Sequence, residues 1–171
     1  GTKSQFNSSK TFKDFEKGLI SEEIFLNKLK QESRTDFRDE DFIAAWNEII
    51  REFPKERIEL LKKLKQTSNF RIFLLSNTNI IHQKLFTRML QEQFDIRGLE
   101  ALFDRVYLSH EIHMRKPDHE VFHYVINDAG ILPEETLFID DSNANIDTAR
   151  ELGLKTFHLR EHLNLNDLFS E

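Results

Sequence analysis

The 171-residue chain contains no cysteine, so no disulfide frames it and nothing in it requires an oxidising compartment. It has no apolar run approaching a membrane-spanning helix and no signal-like opening segment. It also lacks a stripe of Lys and Arg, and its formal net charge of −6 argues against a nucleic-acid partner. Internal repeats and low-complexity stretches are missing too. What remains is an ordinary intracellular protein, expected in the cytoplasm, long enough for one core and a small accessory unit.

What is present begins with Phe-Ile-Asp-Asp-Ser-Asn-Ala-Asn at 138–145. Leu137-Phe138-Ile139 reads as a strand buried on both faces, ending on the adjacent carboxylates Asp140 and Asp141. Open α/β sheets bind ligands at the carboxyl ends of their strands, and two neighbouring carboxylates repel until a hard cation such as Mg²⁺ relieves them. The alternative is that one Asp merely caps the helix beginning near Asn145.

Two more segments have the same build. Arg71-Ile72-Phe73-Leu74-Leu75 runs into Ser76-Asn77-Thr78-Asn79, ahead of the helical pattern Ile81, Leu85, Met89. That turn sets hydroxyl and amide donors at a helix N-terminus, where an anion can bind. Met114-Arg115-Lys116-Pro117-Asp118 opens a helix with Val121, Phe122, Val125 and Ile126 on its apolar face, Pro117 at the first helical position and Gly130 at the C-cap. Lys116 then stands at the positive end of a helix dipole, which costs on the order of a few tenths of a kcal/mol unless an anion compensates. On helix electrostatics alone, removing Lys116 should leave stability unchanged or slightly raised.

Composition shifts once, near Phe53-Pro54. Before it the chain is helical and punctuated by aromatics: Ser21 caps a helix burying Ile24, Phe25 and Leu29, and Asp39 starts the helix carrying Trp46. After it, helix and strand alternate: helix 56–66 with Ile58, Leu61 and Leu64 inward, strand 71–75, helix 80–93, strand 105–108, helix 117–129, strand 136–140, helix 145–152 and strand 155–158. That spacing predicts an α/β fold, a Rossmann-like parallel sheet with right-handed crossovers. The sixteen Phe fall mostly on core faces and need no cofactor-stacking role.

The order Ser-Asn-Thr-Asn, Arg-Lys-Pro-Asp, Asp-Asp, each followed by an amphipathic helix, closely resembles motifs two, three and four of the haloacid dehalogenase-like (HAD) hydrolases. Ser76, Lys116 and Asp140-Asp141 hold the matching positions. The resemblance runs from about Gly18 to about Phe157 and looks most like the branch that includes α-D-glucose-1-phosphate phosphatase and the phosphatase domain of soluble epoxide hydrolases. It implies a small helical cap of the C1 type over 1–53 and a HAD core over 54–171. It also implies a Mg²⁺-dependent phosphatase acting on a small phosphorylated metabolite, a sugar phosphate, through an aspartyl-phosphate intermediate. In that scheme Asp141 holds the metal, with Asp140 bound directly or through water. Lys116 is the catalytic cation facing nucleophile and phosphoryl group, Ser76 and the amide of Asn77 bind phosphoryl oxygens, and Asn145 supports the metal loop.

One part of that pattern is missing. The family's first motif is a strand ending in Asp-x-Asp or a relative of it, and its first Asp is the nucleophile. Asp39-Glu40-Asp41 has the spelling, but it precedes the helical repeat Phe42, Trp46, Ile49, Phe53 and reads as an N-cap and acidic first turn. The resemblance therefore implies that the core's N-terminal strand and its nucleophile are not in this chain. An upstream segment, or a swapped partner chain, would complete the sheet, and the 171 residues alone are expected to be inactive. A phosphotransferase or mutase of the same fold, or a non-catalytic scaffold domain, are the alternatives; a dehalogenase is disfavoured because Asp140-Asp141 points to a metal. His82 reads as a helix-surface residue, and His113 stands where relatives often carry Gly.

Overall fold

The computed structural model describes residues 10–67, 70–160 and 165–169. In chain order these form α1 (Lys10–Glu16), α2 (Glu22–Ser33), α3 (Asp39–Asn47), α4 (Lys55–Gln66), β1 (Phe73–Ser76), α5 (Ile80–Phe94), β2 (Arg105–Leu108), α6 (Ser109–Ile112), α7 (His119–Ala129), β3 (Leu137–Asp140), α8 (Asn143–Glu151) and β4 (Lys155–His158), with short 3₁₀ turns between and after them. They divide into two compact units, one built from 1–53 and 71–113, the other from 54–70 and 114–171.

In the first unit Ser21 caps α2 by accepting the Ile24 N–H at 3.2 Å. The buried face of α2 is Phe25, Leu26 and Leu29, whereas Ile24, expected inside, is 47% exposed. Phe25 and Leu29, four apart, set the face, and Ile24 falls to its edge. Phe15 stacks on Phe25 with centroids 4.1 Å apart, and Phe12 and Trp46 each meet Phe25 at 5.1 Å. With Leu26, Leu29 and Ile81 these rings form the core of this unit, which confirms a packing role for the phenylalanines here. α3 takes Asp39, Glu40 and Asp41 into its first turn, with Arg38 as N-cap. Asp39-Glu40-Asp41 therefore opens a helix, where its negative charge is favoured. The helix ends at Asn47, so Ile49 drops out of the expected repeat and is 64% exposed. β1 and β2 run parallel, Phe73 opposite Arg105 through Ser76 opposite Leu108.

In the second unit β3 and β4 run parallel, Leu137 opposite Lys155 through Asp140 opposite His158. α7 buries Val121, Phe122, Val125 and Ala129, and Gly130 closes it at φ +57°, a conformation that favours glycine. Asp118 is its N-cap, so Pro117 lies outside the helix, joined to Lys116 by a cis peptide. α8 starts at Asn143 behind Ser142, which places Asn145 in the first turn. α4 buries Ile58 and Leu60 rather than Leu61 and Leu64, which are half-buried.

The expected strand burial needs correction. Leu137 is 45% exposed, Phe138 and Ile139 are half-buried, and only Asp140 is buried. Among the described residues each sheet has two strands, β1 pairing only with β2 and β3 only with β4. A sheet that narrow is not covered across both faces as a central strand would be. No helix among the described residues is long and apolar enough to cross a membrane.

Candidate active site

In the second unit, the chemistry gathers at the carboxyl end of β3. Asp140 is its last residue and is 8% exposed. One carboxylate oxygen, Oδ2, accepts from Lys116 Nζ at 2.6 Å, and Oδ1 accepts from the Ser142 N–H and from Asn145 Nδ2, both at 2.9 Å. Burial pushes this carboxyl up, but the Lys116 hydrogen bond and charge, the Ser142 amide and Asn145 together hold it below its ordinary value. Asp140 is therefore ionised at neutral pH. Lys116 is itself buried, with Nζ 5.6 Å from the ring centroid of Phe138, which packs edge-on against Phe122 at 5.3 Å.

This pair answers the question posed by the lysine's poor place in the helix dipole. The compensating anion here is Asp140, from 24 residues further along the chain. Asp141, the next residue, lies just past β3 and is exposed; its carbonyl faces His158 Nε2 at 3.0 Å. The two adjacent aspartates thus differ: Asp140 has both oxygens engaged by three donors, and Asp141 is open to solvent. Asn145 is buried in the first turn of α8 with its amide on Asp140. The structure joins Lys116, Asp140 and Asn145 in one network beside Asp141.

Ser76 and Asn77 belong to the first unit, both half-buried at the carboxyl end of β1. Ser76 falls inside the strand rather than in the turn after it. Thr78 and Asn79 are committed to structure. The Thr78 N–H donates to Ser109 Oγ at 2.9 Å, and Asn79 Oδ1 caps α5 by accepting the His82 N–H at 3.1 Å. His82 is not the surface residue the sequence suggests. Its ring lies 4.8 Å from that of Trp46 and takes Asn79 Nδ2 at 3.2 Å, and its burial lowers its pKa. The physical reason is that α3 packs on α5, which helical periodicity within α5 does not reveal.

One residue escaped the sequence reading. Ser109 is fully buried, and its hydroxyl lies 2.9 Å from the Thr78 carbonyl and 2.7 Å from the Glu16 carbonyl. No signal marks it beyond its place at the end of β2. His113 holds φ +59°, the left-handed region, at the position where the resemblance expects Gly. A cleft in the first unit, lined by Glu22, Ile43, Asn47, Ile81 and Lys84 among others, includes none of the sequence-predicted site residues.

Parallel strands that end in polar residues and feed straight into helices, one of them carrying a buried lysine–aspartate pair, are the build of a Rossmann-like enzyme core. The chain belongs to the haloacid dehalogenase-like hydrolases, whose family profile matches residues 7–159. It is 28% identical over 155 residues to the D-ribitol-5-phosphate phosphatase of Bacteroides thetaiotaomicron, spanning 90% of this chain and 73% of that protein. A crystal structure of a HAD family enzyme from Bacteroides thetaiotaomicron in a magnesium complex matches with a TM-score of 0.89 at 34% identity, covering 99% of this chain and 84% of that one. A second structure of that enzyme, with magnesium and inorganic phosphate, matches at 0.86 and 36%, with the same coverage. The α/β HAD core anticipated from the motif order is the fold observed.

Proposed function

We propose that the chain forms part of a Mg²⁺-dependent phosphatase for the phosphate monoester of a small sugar or sugar alcohol. The observation that carries this reading is the Lys116–Asp140–Asn145 network at the end of β3 with Asp141 exposed beside it. It is supported by the similarity to a D-ribitol-5-phosphate phosphatase and to an enzyme crystallised with magnesium and phosphate.

The donor set fits a hard cation. Among the described residues no group of three or more His, Cys, Asp or Glu side chains converges on one point. Mg²⁺ does not require one, since it is commonly held by one or two carboxylates with water and substrate phosphate completing the sphere. Asp141 would be the principal ligand, because both oxygens of Asp140 are already engaged. When bound, the metal would supply positive charge against the phosphoryl oxygens. Lys116 would add a second, fixed positive charge, and Ser76 with the Asn77 amide would bind the remaining oxygens. The helices within 1–53 would act as the cap that closes over substrate, and 54–171 as the core.

The nucleophile in this reading is a carboxylate outside the 171 residues, on a strand that pairs with the open sheet edge of the core and is contributed by an upstream segment or a swapped partner. Its oxygen attacks phosphorus and expels the alcohol, and water then cleaves the acyl phosphate. The test is phosphate release by the full-length protein from a panel of polyol phosphates, sugar phosphates and nucleotides with and without Mg²⁺. Metal-dependent turnover favouring the polyol and sugar esters is expected; turnover unchanged by chelation, or none with any ester, overturns the proposal.

A further inference from the structure

Where the β1–β2 ladder ends, a side chain takes over from the backbone. The last register pair is Ser76 opposite Leu108, after which β2 turns at once into α6, beginning at Ser109. The other strand runs on through Asn77 and Thr78 before α5 starts at Ile80, so the Thr78 N–H lies beyond the last pairing with β2. Thr78 is buried, and a buried N–H without an acceptor is destabilising. Ser109 Oγ accepts it at 2.9 Å. The same oxygen lies 2.9 Å from the Thr78 carbonyl and 2.7 Å from the Glu16 carbonyl; a hydroxyl has one proton, so it donates to one of these acceptors at a time.

A peptide unit is planar, so holding the Thr78 N–H fixes the plane that joins Asn77 to Thr78. On its other side Ser76 is held in the ladder with β2. Asn77 is therefore bracketed by two fixed neighbours. Ser109 is in turn tied to the helix that follows the turn. The Gln83 side chain of α5 accepts from His110 Nε2 at 2.9 Å and donates to Glu111 Oε1 at 2.7 Å, and both partners sit beside Ser109 in α6. Every residue in this arrangement belongs to one compact unit.

We infer that Ser109 is a positioning residue for the Ser76-Asn77 turn, its buried hydroxyl setting the direction of donors that meet the phosphoryl oxygens. This rests on the reading of Ser76 and the Asn77 amide as phosphoryl-binding groups. The three atoms that Ser109 Oγ meets are all main-chain atoms, two of them on the residue after Asn77. Its contact therefore acts on the course of the backbone rather than on another side chain. Donors aimed before the ligand arrives need no reorganisation as charge develops, and a displacement of about 1 Å at such a group costs rate.

The experiment uses full-length protein and the variants Ser109→Ala, Ser109→Cys and Thr11→Val, read by steady-state kinetics, inhibition by inorganic phosphate and hydrogen exchange. Thr11 is the control: it is buried in the same unit, and its hydroxyl donates to Glu32 Oε1 at 2.6 Å in a bond that joins α1 to α2. Well below the melting temperatures, Ser109→Ala should lower kcat/KM by about tenfold and raise the inhibition constant of phosphate by about fivefold. Ser109→Cys keeps a weak donor and acceptor at similar volume and should fall between wild type and Ser109→Ala. Thr11→Val should leave both constants within about twofold, even where its melting temperature drops as far. Exchange should quicken at the amides of 77–79 in Ser109→Ala and stay as in wild type in Thr11→Val. Ser109→Ala kinetics that match those of Thr11→Val overturn the inference, and if Ser109→Ala does not fold, Ser109→Cys is judged by the same comparison. A wild-type protein that releases no phosphate overturns the functional reading and this inference with it; an active wild type with an unmoved phosphate inhibition constant in the Ser109 variants overturns the inference alone.

Discussion

Lys116 Nζ donates to Asp140 Oδ2 at 2.6 Å with side chains only 10% and 6% exposed, across 24 residues of chain. The contact links the segment before α7 to the end of β3 and fixes a long, flexible side chain before any ligand arrives. A cation already held in place spends no reorganisation when negative charge develops near it, which is the arrangement electrostatic catalysis favours. It is also an obligation. A buried carboxylate that loses its cation is left with the cost of its burial.

Lys116→Ala should therefore reverse the expectation drawn from helix electrostatics. In place of a neutral or slightly favourable effect, it should destabilise the protein by about 3 kcal/mol at neutral pH, the scale for stranding one member of a buried pair. The pH dependence has a definite sign. Asp140 titrates below its ordinary value of 3.8 in the folded protein, so its pairing stabilises above that value and is lost as pH falls through the folded one. In the variant, burial is opposed only by the Ser142 amide and Asn145, so the carboxyl moves up from its position in the pair. Denaturation of both proteins at neutral pH and in acid should show a difference that narrows as pH drops. In the same variant kcat should fall by about 10²-fold or more if the lysine meets the transferring group. Normal kcat with lowered stability would leave Lys116 a structural residue alone.

The two aspartates should separate cleanly. Asp141→Asn removes a charge from an exposed side chain, so melting temperature should hold while Mg²⁺ binding weakens and most turnover is lost. Asp140→Asn turns an amide donor toward Lys116 or toward Ser142 and Asn145, which are donors themselves, and should cost about 2 kcal/mol or more of stability. Its direct effect on metal affinity should be the smaller one. Thermal melts and Mg²⁺ titrations of turnover for both variants check this, and equal loss of metal binding would reassign Asp140 as a full ligand.

The sequence made the ends of β1 and β3 legible because apolar runs closing on Ser76-Asn77 and Asp140-Asp141 have few other readings. The strand boundaries at 105–108 and 155–158 match because turns and charged residues bracket short β-branched and aromatic runs. What periodicity could not supply was partnership across elements. The lysine's anion lies 24 residues away, the cover over His82 comes from Trp46, and Ser109 bonds Glu16 from 93 residues along the chain. The burial of β3 was overstated because a run of apolar residues fixes the strand and says nothing of how many neighbours it has. The resemblance marked His113 as a glycine-like position, and the left-handed backbone there gives that mark its physical content.

Gly18→Ala should be among the most damaging single-methyl additions in the chain. The new Cβ would meet the His110 carbonyl oxygen at 2.1 Å and its carbon at 2.9 Å, and both are backbone atoms that cannot swing aside as a side-chain tip would. The backbone at φ +65° adds the left-handed penalty of about 1 kcal/mol to the clash. Gly130→Ala is the matched control. It has the same sign of φ and nothing within 4 Å of the added carbon, so it should lose only the conformational part. Denaturation midpoints of the two variants should differ by well over the control's own loss; equal losses would show that the α1 exit is free to move away from residue 110.

His82 offers a test in the neutral range. Burial lowers its pKa below the ordinary 6.5, so the unfolded chain takes up the proton before the folded one does. Its contribution to stability is fully present above that ordinary value and is lost as pH falls through it toward the folded value. The ring lies 4.8 Å from that of Trp46, and its Nδ1 accepts from the Asn79 amide at 3.2 Å, so a second proton, which would go on Nδ1, would face a donor. His82→Gln keeps a hydrogen-bonding side chain and the backbone N–H that Asn79 caps, and it cannot titrate. Stability of the wild type should fall between neutral pH and about pH 5, and the variant's curve should fall less steeply over the same interval. A residual slope is expected in the variant, because burial lowers the pKa of His110 as well. Parallel curves would mean that the imidazole protonates in place, and that the contact with Trp46 opens readily enough to admit water.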